Sequence, residues 1–259
     1  MRLHGSFALV TGSSGGLGAA IARQLTDRGV QVVVHGRDAG RTEAIARELR
    51  STPVLADLAD PAQHQRLIDE ATAVHGRLDL VVHNAGIGWQ GGFDTMPPER
   101  IPELVATNLT APIALSRAVL PQLLARGRGH LCFVTSIAGR TGVAGESVYA
   151  ATKSGLDAFA GSLRLEAVGT GVEISTFVPA VVDTDFFAHR GTPYARRSPR
   201  PKDVETVARQ VVSLIAAGAP EGWSDPALRV APLVRSAWPA AYTRLAQRWG
   251  EKTRLKGGE

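Results

Sequence analysis

At 259 residues and 44% hydrophobic composition, the chain is long enough to bury a large core and of a size that commonly makes one α/β domain. The single cysteine, Cys132, excludes an internal disulfide, and no apolar run reaches the ~20 residues of a membrane span. Met1-Arg2-Leu3-His4-Gly5 leads too soon into an apolar run for a signal peptide, so a soluble cytoplasmic protein is expected. The net charge of +5 gathers in Arg190, Arg196, Arg197, Arg200 and Lys202 and again at the C-terminus; neither cluster carries a nucleic-acid-binding motif, and no nucleic-acid partner is expected.

Phe7-Ala8-Leu9-Val10 is a short apolar run that opens into Thr11-Gly12-Ser13-Ser14-Gly15-Gly16-Leu17-Gly18, after which Leu17, Ile21 and Leu25 recur at helical spacing. The pattern reads as strand, glycine turn, helix. Such glycines let the backbone approach a pyrophosphate, and the first N–H groups of the helix attract the anion; the same turn also serves as a plain strand-to-helix connection. Gln31-Val32-Val33-Val34-His35 is a second strand, followed by Gly36-Arg37-Asp38 and a helix to about residue 50. In a dinucleotide fold, a carboxylate near this strand end holds a ribose diol, and an arginine accommodates a 2′-phosphate. Gly36 leaves the carboxylate place empty and Arg37 follows it, while Asp38 is either a diol acceptor or the N-cap of the next helix.

Val54-Leu55-Ala56 is a third strand ending at Asp57-Leu58, and a helix with Pro61 in its first turn runs to about His75. Residues 78–83 form a fourth strand ending in Asn84-Ala85-Gly86. Residues 99–126 read as helical with Asn108 inside, where Pro112 has no N–H to give the Asn108 carbonyl; a polar residue on the helix surface is the plainer reading. Leu131 to Val134 is a fifth strand, with Ser136 just past its end. A helix over 148–168 makes Tyr149 and Lys153 an i,i+4 pair. An ammonium beside a phenol would lower the phenol pKa, as proton transfer requires, although a packed ring and a solvated amine share the spacing.

Residues 172–178 form a sixth strand closing into Pro179-Ala180-Val181-Val182-Asp183-Thr184. Residues 185–202 read as a long basic loop of the kind that forms a substrate lid. A helix over 204–217 and a short strand around 228–230 follow. An amphipathic helix over 237–254 carries an apolar stripe of Trp238, Tyr242, Leu245 and Trp249. That stripe packs on the body or a sister subunit, or touches anionic lipid as a peripheral membrane contact. Strands alternating with helices predict a single domain over 1–259, an α/β Rossmann-like fold with a doubly wound parallel sheet and a core over 6–184. Thr11, Gly36, Asp57 and Asn84 fall at the carboxyl ends of its strands and Ser136 just beyond one, which is where such sheets bind ligands.

Together, Thr11-Gly12-x-x-x-Gly16-x-Gly18, Asp57, Asn84-Ala85-Gly86, Asn108, Ser136 and Tyr149-x-x-x-Lys153 resemble the short-chain dehydrogenase/reductase family, in its order and at similar intervals, from about Phe7 to Thr184. The resemblance implies that Gly12, Ser14, Gly16, Leu17 and Gly18 form the cofactor pyrophosphate turn, and that Asp57 and Leu58 meet the adenine. It further places Asn84, Ala85 and Gly86 beside the adenosine ribose, and Val182 and Thr184 at the nicotinamide amide. Tyr149 would be the acid/base, Lys153 would bind the nicotinamide ribose and lower the Tyr149 pKa, Ser136 would orient the substrate oxygen, and Asn108 would hold a proton-relay water. Pro179-Ala180 departs from the family's Pro-Gly by one small residue. Arg37 after Gly36 resembles the members that prefer NADP(H), NADPH in the reducing direction, over NAD.

The implied function is hydride transfer between NADP(H) and a small-molecule carbonyl or secondary alcohol, made apolar in preference by Trp89, Ile137, Phe186 and Phe187. A homodimer or homotetramer through the helices bearing Asn108 and Tyr149 goes with it, and no metal. One alternative is a reductase of 3-oxoacyl chains on a carrier or coenzyme A, whose phosphates the lid arginines would meet. Another is a non-catalytic nucleotide-binding or regulatory protein on the same fold.

Overall fold

The computed structural model describes residues 1–191, 194 and 199–249. Its sheet contains β1 (Phe7–Val10), β2 (Gln31–Gly36), β3 (Thr52–Leu55), β4 (Leu80–His83), β5 (Gly129–Val134), β6 (Val172–Val178) and β7 (Glu221–Trp223). All pairs are parallel, in the order β3-β2-β1-β4-β5-β6-β7. Leu9 of β1 stands between Val33 of β2 and Val81 of β4. The winding reverses between β1 and β4, which opens a crevice at their carboxyl ends.

The strands are apolar on both faces because helices cover both. Ala8 and Val10 pack with α1 (Gly16–Thr26) and α9 (Val204–Ala217), whereas Leu9 packs toward α3 (Ala62–His75), α5 (Ala111–Arg126) and α7 (Ser147–Glu166). Between β2 and β3 lies α2 (Ala39–Glu48). The run leading into α5 begins as α4 (Arg100–Val105) and widens at Ala106–Thr110 into a π turn, in which the Ala111 N–H reaches back to the Ala106 carbonyl. This irregularity falls where Pro112 offers no N–H. Among the described residues, Arg100–Arg126 is the one helix with the length and apolarity of a membrane span, and here it packs beside α3 and α7.

Two expectations near the C-terminus are corrected. The strand expected around residues 228–230 is a 3₁₀ turn, Pro226–Arg229, leading into α10 (Val230–Ala237); Asp225 accepts the Ala227 N–H and Pro226 opens the turn, a helical start. The seventh strand lies earlier, at β7. The helix expected over 237–254 is α11 (Pro239–Trp249), with Trp238 at the break from α10, and residues 250–254 lie outside the described residues. Within 185–202 the chain forms α8 (Phe186–His189), and Lys202 then returns to pair with Val182.

The core holds histidines in their neutral form. Burial lowers His35 to about 4 and His83 to about 3, and it outweighs the nearby Glu173 carboxylate to lower His130 as well. The unfolded chain takes up these protons near pH 6.5, whereas the fold refuses them until much lower pH, so stability falls as pH drops from about 6.5 to about 4. For His35 alone the loss is about 3 kcal/mol. Urea midpoints at pH 7 and pH 4.5 check this; an unchanged midpoint would mean that the imidazoles protonate without disturbing the fold.

Candidate active site

The crevice at the β1/β4 reversal is a cleft of about 1470 Å³ that joins the glycine turn, Arg37, Asp57, Ser136, Tyr149 and Lys153. One end is a backbone cradle. Gly12 has φ +66°, and a Cβ there would meet the Ala85 backbone at 2.9 Å; a Cβ on Gly18 would lie 2.2 Å from the Gly12 carbonyl oxygen and 2.5 Å from Asn84 Nδ2. Neither position tolerates a side chain. Gly15 caps α1 without a side-chain hydrogen bond, and no acidic residue stands in the first turn, so the helix start faces the cleft with the character of an anion site.

Side chains around the cradle fix it from behind. The Thr11 hydroxyl donates to the Val82 carbonyl and accepts from the N–H groups of Asn84 and Ala85, both at 3.1 Å. Asn84 Nδ2 donates to the Thr11 carbonyl at 3.1 Å. The Gly12 N–H donates to His35 Nδ1 at 3.1 Å, a role the sequence reading missed, although a histidine closing an apolar strand is its trace. Asp57 caps its own turn by accepting the Ala59 N–H, and Leu58 is mostly in the core while still edging the cleft.

Asp38 is settled as an N-cap: its Oδ1 accepts the Arg41 N–H at 2.8 Å. The place of a side chain at Gly36 is occupied, since a Cβ there would sit 2.4 Å from Thr42 Oγ1 and 2.8 Å from Ser14 Oγ. Arg37 and Arg41 both line the cleft, and neither enters an ion pair among the described residues. The Arg41 guanidinium overhangs the turn, with Nη2 2.9 Å from where a Gly15 Cβ would stand. Arg41 was not singled out from the sequence; its signal is the four-residue step from Arg37 onto the first turn of α2.

At the other end, Ser136 leaves β5 as the N-cap of α6 (Ile137–Thr141), its hydroxyl accepting the Ala138 N–H at 3.1 Å. Tyr149 on α7 stands beside Ser136, whose side chain favours its ionised form. Lys153, one turn on and 3% exposed, donates from Nζ to the Val134 carbonyl at 3.0 Å, and its Nζ lies 6.0 Å from the Tyr149 ring centre. The expected lowering of the Tyr149 pKa is not found: burial raises it, against smaller effects from Ser136 and Arg190 that lower it, so the phenol is held protonated. Burial also lowers Lys153 to about 8.

Asn108 corrects the surface reading. It is fully buried in the π turn, with Oδ1 accepting the Ile87 N–H at 2.8 Å and Nδ2 donating to the Ile87 carbonyl at 2.9 Å and to Thr152 Oγ1 at 3.2 Å. A Cβ on Gly86 would come within 3.3 Å of both Asn108 Oδ1 and Lys153 Nζ, so Gly86 keeps this corner open. Val182 and Thr184 also line the cleft, with Thr184 close to the cradle, 3.6 Å from where a Gly16 Cβ would stand.

The outer cleft is apolar. Tyr149, Phe186, Phe187 and Tyr194 form a ladder of rings with centres 5.6, 5.6 and 5.1 Å apart, and Ile137, Val143, Leu228 and Tyr242 add to the walls. Trp89 packs behind, in the cluster around Tyr149 and Phe186. Arg190 is not a solvated loop cation: it is 3% exposed and lines the cleft while bonded to Glu146, with its guanidinium carbon 4.7 Å from the Phe187 ring centre. Arg196 and Arg197 lie outside the described residues.

The family model for short chain dehydrogenase matches residues 6–194. An uncharacterized oxidoreductase of Myxococcus xanthus is 40% identical over 72% of this chain and 76% of its own length. The 3-oxoacyl-(acyl-carrier-protein) reductase FabG of Escherichia coli is 32% identical over 71% and 77%. A metagenomic short-chain oxidoreductase solved with NADP superposes with TM-score 0.70 at 34% identity, covering 83% of this chain and 92% of that one. For a Burkholderia phymatum protein solved with NAD, the TM-score is 0.84 at 22% identity over 98% and 100%, a likeness of fold. With the parallel sheet, the glycine cradle and the Ser136-Tyr149-Lys153 cluster already in place, the match over most of the chain makes this protein an oxidoreductase of the short-chain dehydrogenase/reductase family.

Proposed function

We propose that the protein reduces apolar ketones or aldehydes with NADPH, or oxidises the corresponding alcohols with NADP. The observation that carries the reading is the placement of Tyr149: its phenol lines the same cleft as Ser136, Lys153 and the glycine cradle, and its ring begins the aromatic ladder. Bound nicotinamide supplies the hydride. Ser136 then holds the substrate oxygen, and Tyr149 donates its phenolic proton to that oxygen as the charge develops. Lys153, buried and lowered to about 8, returns the proton to Tyr149, and Asn108 holds the corner where a relay water reaches Lys153. Gly12, Gly16 and Gly18 would take the pyrophosphate, with Ser14 and Leu17 at its edge. NADP(H) over NAD(H) is supported by Arg37 and Arg41 beside the cradle, and by Asp38 being engaged as a cap.

A second reading, reduction of 3-oxoacyl chains on a carrier or coenzyme A, draws on the 32% identity to the Escherichia coli reductase. Arg190, one of the cations it relied on, is already paired with Glu146. NADPH absorbance with aryl and long-chain alkyl ketones, set against acetoacetyl-coenzyme A, tests both. Faster turnover of the apolar ketones is expected; preference for the thioester would favour the second reading, and no turnover of any carbonyl with either cofactor would remove both. Assembly as a dimer or tetramer through α4–α5 and α7 is supported by exposed Leu124 on α5 and Leu165 on α7.

A further inference from the structure

We infer that the α10–α11 pair is a docking surface for anionic lipid, attaching the protein peripherally to a membrane. The face that the pair leaves open is apolar: Val230, Leu233, Trp238 and Leu245 are 59%, 67%, 66% and 53% exposed. Side chains of this size grouped on two short helices form a patch that a monomer rarely leaves bare. It is not spare core, because the inward sides are already engaged. Arg235 Nη1 donates to the Arg140 carbonyl at 3.0 Å, and Tyr242 and Ala246 line the cleft.

Charge identifies what covers the patch. Residues 229–259 contain seven arginines and lysines against Glu251 and Glu259, a net +5 that equals the charge of the whole chain, so residues 1–228 are neutral overall. Within α10 and α11 there is no Asp or Glu, while Arg229 at the start of α10 and Arg244 on α11 are exposed. A second copy of the chain seated on this face by two-fold symmetry would bring arginines against arginines with no acid to answer them. A bilayer rich in acidic headgroups answers both features: apolar side chains enter the headgroup boundary, a tryptophan is favoured there, and the arginines meet phosphates. Since α11 turns its other side to the cleft, attachment would leave one helix between the lipid and the apolar substrate site.

The attachment is tested on the full chain, independently of turnover, by sedimentation with phosphatidylcholine vesicles with and without phosphatidylglycerol. Binding is expected only to the acidic vesicles, and it should fall in high salt as headgroup charge is screened. Leu233→Ser with Trp238→Ser should weaken it about tenfold or more, and Arg244→Gln should reduce its salt dependence, with NADPH titration unchanged in each. Absent binding, equal binding to neutral vesicles, or full binding by the Leu233/Trp238 variant would overturn the inference. So would a Leu233/Trp238 variant whose only change is a smaller oligomer, which would assign the face to a second copy.

Discussion

Tyr149→Phe is expected to lower kcat about 10²- to 10⁴-fold, the usual range for a positioned acid or base, while leaving cofactor affinity and folding intact. The substitution removes the phenolic oxygen and nothing of the ring that packs 5.6 Å from Phe186. Its hydroxyl lines the cleft beside Ser136, so the loss strips no core group of its hydrogen-bond partner. Burial holds the phenol protonated, which favours reduction at neutral pH; alcohol oxidation needs the phenolate, and its kcat/KM should climb as pH rises. Steady-state rates in both directions, with cofactor titration by fluorescence, decide the point. Near-parental turnover in the Phe variant would place the proton on another group.

Arg37→Ala should weaken NADPH about ten- to a hundredfold and change NADH little, because a charge-assisted hydrogen bond to phosphate contributes roughly 1.5–3 kcal/mol. Arg41→Ala should act in the same direction, since its guanidinium overhangs Gly15 from the first turn of α2. The alternative route to a cofactor switch, an acid in place of Gly36, is closed sterically: any Cβ there meets Thr42 and Ser14. Asp38 offers no substitute while it caps α2. The kcat/KM ratio for the two cofactors in the parent and both alanine variants checks this. A parent that prefers NADH would show that the arginines serve the surface instead.

Much of the architecture was legible from local pattern. Seven apolar runs, six of them placed correctly, alternate with 3.6-period segments, and two-sided burial makes parallel strands read as continuous apolar stretches. The seventh was misplaced because β7 is three residues long, Glu221–Trp223, too short to show a period, whereas Leu228-Arg229-Val230 looks extended until Asp225 and Pro226 are recognised as a helix start. Motif spacing likewise brought Ser136, Tyr149 and Lys153 to one crevice, since strand ends and an i,i+4 helix step are sequence-local geometry.

The order of elements, the glycine turn and the set of polar groups at the strand ends all follow from backbone period and local sterics. The environment of each group arises from the packing around it. Whether Tyr149 is an acidified or a shielded phenol depends on how many apolar neighbours exclude water, and burial outweighs the lowering effects of Ser136 and Arg190. Asn108 became a buried brace on Ile87, and Arg190 a buried partner of Glu146, because loops from distant parts of the chain close over them. The Gly12 bond to His35 and the reach of Arg41 over Gly15 join residues more than twenty positions apart. Desolvation and long-range contact depend on three-dimensional packing, which residue spacing along a chain does not encode.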